Sequence, residues 1–247
     1  MRLQNKIALV TGAGSGFGEG IARTFAREGA KVVIADINEK AARDVAAAIG
    51  RDAVALRTDV SQRADVDAAV QAALDFGGLD ILINNAGINF SRAPLTDMTE
   101  EQFDRIFAVN VKSIYLFAQA VVPHFRRQGG GVIINIGSTA GLRPRPGLTW
   151  YNTSKGAVNL ASKSMAVELA PDKIRVCAIA PTIGETGLLA SFMGGDSDEL
   201  RTKFRAGVPL GRLSTPQDVA NAALFLASDE ADFLTGVVLE VDGGKSV

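Results

Sequence analysis

Lys6-Ile7-Ala8-Leu9-Val10-Thr11-Gly12-Ala13-Gly14-Ser15-Gly16-Phe17-Gly18 reads as an apolar strand that passes through a glycine-rich turn into a helix. The dinucleotide fingerprint G-x-G-x-x-G fits no register here, because its third glycine would fall on Phe17, Glu19 or Ile21. Gly12, Gly16 and Gly18 form G-x-x-x-G-x-G instead. The physics is unchanged. Backbone without side chains lets a pyrophosphate approach, and the following helix presents free N–H groups and the positive end of its dipole. The plainer alternative is a glycine-rich turn with no ligand.

Outward from this turn, short β-branched runs alternate with helical periods to the end of the chain. Strands are expected at Lys6 to Val10, Val32 to Ala35, Ala53 to Arg57, Ile81 to Asn84, Val132 to Ile136, Arg175 to Ala180 and Val238 to Val241. Helices are expected at Gly18 to Glu28, Asn38 to Ile49, Gln62 to Phe76, Glu100 to Gln128, Tyr151 to Leu169 and Pro216 to Ala227. Thr99 with Gln102 fits a capping box, and Thr215 supplies an N-cap before Pro216. The pattern is that of an α/β fold, a seven-stranded parallel sheet with helices on both faces, in a single domain over residues 1–247. The alternation pauses once, at 182–214, where a long insertion reads as a substrate-binding loop. The helix Glu100 to Gln128 is apolar on more than one stripe, so a second surface must cover it.

Composition removes several classes of function. Lys and Arg total 26 against 27 Asp and Glu, a net charge of −1, which disfavours nucleic acid or a membrane surface as partner. With 47% hydrophobic and 21% charged residues the chain can bury a full core. Cys177 and His124 are each the sole residue of their type, so no multi-His or multi-Cys metal site and no intrachain disulfide is expected. A reducing cytoplasmic compartment is the expected location. No signal-peptide pattern opens the sequence, and no stretch holds the roughly 18 uninterrupted apolar residues of a membrane span.

Candidate chemistry lies at strand ends. Asp36 closes the second strand, where a carboxylate can accept hydrogen bonds from a ribose, its alternative being a helix N-cap. Asp59 follows the third strand and Asn85-Ala86-Gly87 the fourth, with capping and turn formation as the alternatives. Tyr151 and Lys155 share one helix face, and a nearby ammonium would lower a phenol from its usual value of about 10. Ser138 follows the fifth strand, and Asn110 is a poor helix former among apolar residues.

These ordered motifs, with Asn84 and with Pro181 and Thr186 after the sixth strand, resemble the classical short-chain dehydrogenases/reductases over the whole chain. The resemblance implies a Rossmann-type domain, a nicotinamide cofactor and the tetrad Asn110, Ser138, Tyr151 and Lys155. In it Tyr151 is the general acid/base, Lys155 holds the nicotinamide ribose, Ser138 positions the substrate oxygen and Asn110 supports a proton relay. The cofactor would meet Gly12, Ser15, Gly16, Phe17, Gly18, Asp36, Ile37, Asp59, Val60, Asn85, Ala86, Gly87, Tyr151, Lys155, Pro181 and Thr186. Two positions depart from the family pattern: Phe17 replaces a small aliphatic residue, and Thr182 replaces a glycine. Relatives commonly pair their two long helices across a two-fold axis, so a homotetramer, or else a homodimer, is expected.

The expected activity is NAD(H)-linked interconversion of a secondary alcohol and a ketone. Asp36 would repel the 2′-phosphate of NADP(H), and Ser15, Ile37 and Asn38 supply no cation to hold it. The alternatives are a 3-oxoacyl-carrier-protein reductase using NADP(H) and a non-catalytic dinucleotide sensor. Pocket candidates are Asn89, Phe90, Leu142, Trp150, Leu188, Leu189, Phe192 and Met193, with Arg92, Arg143 and Arg145 nearby, these arginines reading as solvated loop charge before anion ligands. His124 is expected at the surface or at a helix terminus and Cys177 in the core.

Overall fold

The computed structural model describes residues 1–187 and 189–247; Leu188, one of the pocket candidates, lies outside the described residues. Seven strands, β1 (Ile7–Thr11), β2 (Lys31–Asp36), β3 (Ala53–Arg57), β4 (Ile81–Asn84), β5 (Gly131–Ile136), β6 (Ile174–Pro181) and β7 (Val238–Val241), form one sheet in the order β3-β2-β1-β4-β5-β6-β7. Every pairing is parallel. The helices are α1 (Gly16–Arg27), α2 (Glu39–Ile49), α3 (Arg63–Asp75), α4 (Glu100–Phe107), α5 (Ser113–Gln128), α6 (Thr149–Leu169), α7 (Leu189–Met193), α8 (Asp198–Ala206) and α9 (Pro216–Ala227). This is a single Rossmann-like domain.

Strand side chains alternate between two cores, as the period of two requires. Ala8, Val10, Ile34 and Ile83 face one core with Ile21 and Phe25 of α1 and Val219 of α9. Leu9, Val33 and Leu82 face the other with Val66 of α3 and Phe117 and Phe125 of α5. Both expected N-terminal caps form: Thr99 and Gln102 close a capping box on α4, and Thr215 closes one with Asp218 on α9, with Pro216 in its first turn.

Two expectations change. The run Glu100 to Gln128 is not one regular α-helix, because residues 108–112 widen into a π-helical turn between α4 and α5. Such bulges displace a side chain from the regular helical sweep, and here the turn carries Asn110, 3% exposed. This run of 29 residues also contains an 18-residue window of mean hydropathy 1.4, long and apolar enough to cross a bilayer, although no long stretch of it is free of polar residues; 44% of that window is buried within this chain. The segment 182–214, expected as a loop, contains α7 and α8, and Leu189 and Met193 pack there on Leu213.

Candidate active site

The carboxyl ends of β1 to β6 open on one cleft of about 340 Å³, a size suited to small molecules. It lies where the strand order reverses, between β1 and β4. Every expected cofactor-facing residue lines it except Gly18. Gly18 is buried under the turn, where an added Cβ would meet the Gly12 carbonyl oxygen at 2.3 Å. Its role is close packing of helix on turn. Gly12 (φ +62°) and Gly16 (φ +58°) take the left-handed backbone that the turn demands.

Asn85 secures this turn. Its amide Nδ2 donates to the carbonyls of Thr11 (2.8 Å) and Gly12 (3.0 Å), while the backbone N–H groups of Asn85 and Ala86 donate to the Thr11 hydroxyl. Ser15 occupies the N-cap of α1 without spending its hydroxyl on a cap bond. The cradle therefore fits a pyrophosphate: bare backbone, a helix N-terminus and an available hydroxyl.

Asp36 is not a helix cap, since Asn38 caps α2 by accepting from the Ala41 N–H at 3.1 Å. Its carboxylate accepts from the backbone N–H groups of Gly14 and Asn38, each at 2.8 Å, and stays half-exposed at the cleft. Nor does Asp59 cap α3, whose N-cap position is Gln62; the Asp59 carboxylate accepts from the N–H and hydroxyl of Ser61. Burial works to raise the Asp59 carboxyl, but the Ser61 hydrogen bonds and the Arg105 guanidinium prevail and hold it below the usual carboxylate value.

On the opposite side, Ser138, Tyr151 and Lys155 line the same cleft. The turn Thr139–Gly141 lies so close to α6 that a Cβ on Gly141 would sit 2.5 Å from the Gly156 nitrogen, which brings Ser138 to the Tyr151 side of the helix. Asn159 holds the Ser138 carbonyl at 3.3 Å. Burial pushes the Tyr151 phenol up to about 12, opposed by its hydrogen bond with Ser138. Burial pulls the Lys155 ammonium down to about 8, while its Nζ donates to the Ile136 carbonyl at 2.8 Å. The sequence-based expectation of a lowered phenol is therefore not met in the protein alone: desolvation outweighs the Ser138 hydrogen bond.

Asn110 does not reach the cleft surface. Its Oδ1 accepts from Ile88 N–H at 2.8 Å, and its Nδ2 donates to the Ile88 carbonyl and the Ser154 hydroxyl, both at 3.0 Å. Ser154 in turn donates to the Tyr151 carbonyl, so the strand β4 turn, the π-helical turn and the first turn of α6 are tied through one side chain. Ser154 and Asn159 escaped the sequence reading, as small polar residues on a helix carry no signal until a partner element is placed beside them.

Phe17 and Thr182 find their context here. A Cβ on Gly184 would lie 2.4 Å from the Phe17 ring, so the missing side chain at Gly184 makes room for the large one at Phe17. Thr182 lines the cleft with its backbone N–H on the Val241 carbonyl. Of the pocket candidates, Phe192 lines the cleft and stacks edge-on against Tyr151 at 5.2 Å. Trp150 instead donates to the Leu95 carbonyl, Asn89 accepts from Ser191, and Leu142 is exposed outside the cleft lining. His124 is half-buried near the end of α5, and Cys177 is a core residue whose thiol is pushed up by burial.

A sequence model of the family described as Enoyl-(Acyl carrier protein) reductase matches residues 12–246. The chain is 47% identical over 253 aligned residues, all of both chains, to 4-formylbenzenesulfonate dehydrogenase of Comamonas testosteroni. It belongs to the short-chain dehydrogenase/reductase family. Galactitol 2-dehydrogenase of Agrobacterium fabrum is 43% identical over 99% of both chains. The crystal structure of 3-ketoacyl-(acyl-carrier-protein) reductase from Brucella melitensis complexed with NADH superposes with a TM-score of 0.95, at 51% identity, over 99% of this chain and 100% of that one. This short-chain dehydrogenase/reductase is thus an oxidoreductase that works with a nicotinamide dinucleotide.

Proposed function

We propose that the protein interconverts a secondary alcohol and a ketone with NAD(H), using Tyr151 as general acid/base. The observation that carries this reading is the shared cleft: the glycine cradle and Asp36 at one side, Ser138, Tyr151 and Lys155 at the other. The dinucleotide, when bound, supplies or accepts the hydride. Ser138 orients the substrate oxygen, and the Tyr151 phenol gives that oxygen a proton in reduction or takes one in oxidation. Lys155 binds ribose and favours the phenolate once polar groups replace the dry surroundings of the free site. Asn110 acts behind them as a positioning residue that fixes Ile88 and Ser154. The segment 182–214 serves as the substrate-binding loop of the single domain, with Phe192 over Tyr151.

Support for NAD(H) over NADP(H) comes from what surrounds Asp36. Lys40 is drawn to Asp44 at 2.6 Å and Arg57 to Asp65 at 3.3 Å, so both nearby cations are turned to other acids. A 2′-phosphate would meet the Asp36 carboxylate without a fixed positive partner. The kcat/KM with NADH should exceed that with NADPH by about tenfold or more, and Asp36→Ala should narrow or reverse the gap. Preference of the unmodified protein for NADPH would overturn the assignment.

A second reading is reduction of a 3-oxoacyl thioester. The Brucella neighbour bears that name and holds NADH, so Asp36 alone does not separate the readings. Comparison of a 3-oxoacyl thioester with simple ketones does.

We further propose assembly as a homotetramer. Tyr115 on α5 and Leu160 and Val167 on α6 are 56%, 66% and 80% exposed, a costly apolar face for a monomer. Light scattering should give about four times the 25.9 kDa chain mass, and a monomer at micromolar concentration would refute it.

A further inference from the structure

Arg92, Arg145 and Lys245 come from three segments: the loop after β4, the loop before α6 and the chain's last turn. All three line the cleft that contains Tyr151. The first two segments are clamped together, with Ala93 N–H donating to the Gly147 carbonyl at 3.1 Å. Gly147, beside Arg92, has φ +75°, a left-handed backbone that favours glycine. Buried Asn152, the residue after Tyr151, donates to the Arg145 carbonyl at 2.9 Å and ties this cation's backbone to the catalytic helix turn. Arg92 and Lys245 both lie over the Phe204 ring, 5.9 Å and 5.6 Å from its centroid.

These cations make no close ion pair. Among the described residues no ion pair within 4.0 Å includes Arg92, Arg145 or Lys245. Asp242, the one acid whose charge reaches Lys245, accepts from Gly244 N–H at 2.9 Å through Oδ1 and makes no ion pair with Lys245 within 4.0 Å. Burial and the like charge of their neighbours lower both Arg145 and Lys245 below their usual values. Charges of one sign gathered beside a catalytic residue are costly, and an anion that sits among them removes the cost. The sequence expectation of solvated loop charge holds for exposed Arg143, which is outside the cleft lining; Arg92 is exposed at the cleft, and Arg145 is half-buried in its lining.

We propose that Arg92, Arg145 and Lys245 form a seat for a negatively charged oxygen group, a carboxylate or sulfonate, on the substrate that Tyr151 protonates. This deepens the oxidoreductase reading of the same cleft and rests on it. The dinucleotide's own phosphates belong at the glycine turn after β1, so the anion recognised here is the substrate's.

The test uses the NADH-supplied full-length protein with two matched ketone pairs, acetophenone with para-acetylbenzoate and methyl propyl ketone with levulinate. In at least one pair the carboxylate partner should show the higher kcat/KM, by about 10- to 100-fold. Arg145→Gln and Lys245→Gln should each reduce that ratio by about tenfold, chiefly through KM. Merely structural damage would depress both members of a pair alike and leave the ratio intact. Calorimetry of para-acetylbenzoate and levulinate with NAD⁺-loaded protein separates binding from chemistry. Carboxylate binding lost in Arg145→Gln without any ketone turnover would uphold the seat and reject the ketone reaction. Equal kcat/KM within both pairs, ratios unmoved by the substitutions, or no carboxylate binding together with no turnover would overturn the seat.

Discussion

Tyr151→Phe is expected to lower kcat by about 10²- to 10⁴-fold while dinucleotide affinity stays within severalfold of the parent. The substitution removes only the phenolic oxygen. The ring keeps its place, 7% exposed, against Ala140, Leu148 and Phe192. Ser138 loses one hydrogen-bond partner and keeps another, since its hydroxyl accepts from Ala140 N–H at 3.0 Å. Folding should therefore be nearly unchanged and the defect chemical. Steady-state turnover with one accepted ketone, together with dinucleotide titration, checks this; turnover near the parent value would remove Tyr151 from the reaction.

Lys155→Met is expected to do two opposite things. Rate and cofactor affinity should both fall if, as proposed, one ammonium serves ribose binding and the phenolate. Stability at neutral pH should rise. The unfolded chain holds a lysine proton up to about 10.5, whereas burial in the folded protein lowers this to about 8. Between these values the unfolded state binds more protons, so stability of the parent increases with pH across that window. Below it both states are charged and the folded protein bears the whole desolvation cost, on the order of 3 kcal/mol before the Ile136 hydrogen bond is counted.

Lys155→Met should therefore resist urea better at pH 7 by about 1–2 kcal/mol, once the lost hydrogen bond is subtracted. That advantage should shrink toward pH 10. Tyr151 is shifted the other way, from 10.0 to about 12, so it is neutral in both states through this range and lowers stability only as pH climbs above about 10. Urea midpoints of parent and variant at pH 7 and pH 10 decide the matter. A variant less stable than the parent at pH 7 would show that Lys155 is held at no desolvation cost. The seat of a catalytic ammonium would then be a stabilising feature of the fold.

Local pattern alone determined the parallel α/β architecture, the glycine turn, the Thr99 capping box and the Thr215 N-cap, because strand alternation, helix amphipathicity, turns and caps involve residues adjacent in the chain. It also placed Tyr151 and Lys155 on one helix face, since that follows from a spacing of four. It failed where a residue's surroundings come from distant segments. The phenol at about 12 reflects burial beneath Ala140, Leu148 and Phe192, which no helical spacing reports. The break at residues 108–112 becomes legible only when Asn110 meets Ile88 and Ser154. Phe17 is accommodated by Gly184, and Lys245 joins Arg92 and Arg145 across nearly the whole remaining chain. Desolvation and charge accumulation depend on which atoms share a volume, and only the tertiary structure decides that.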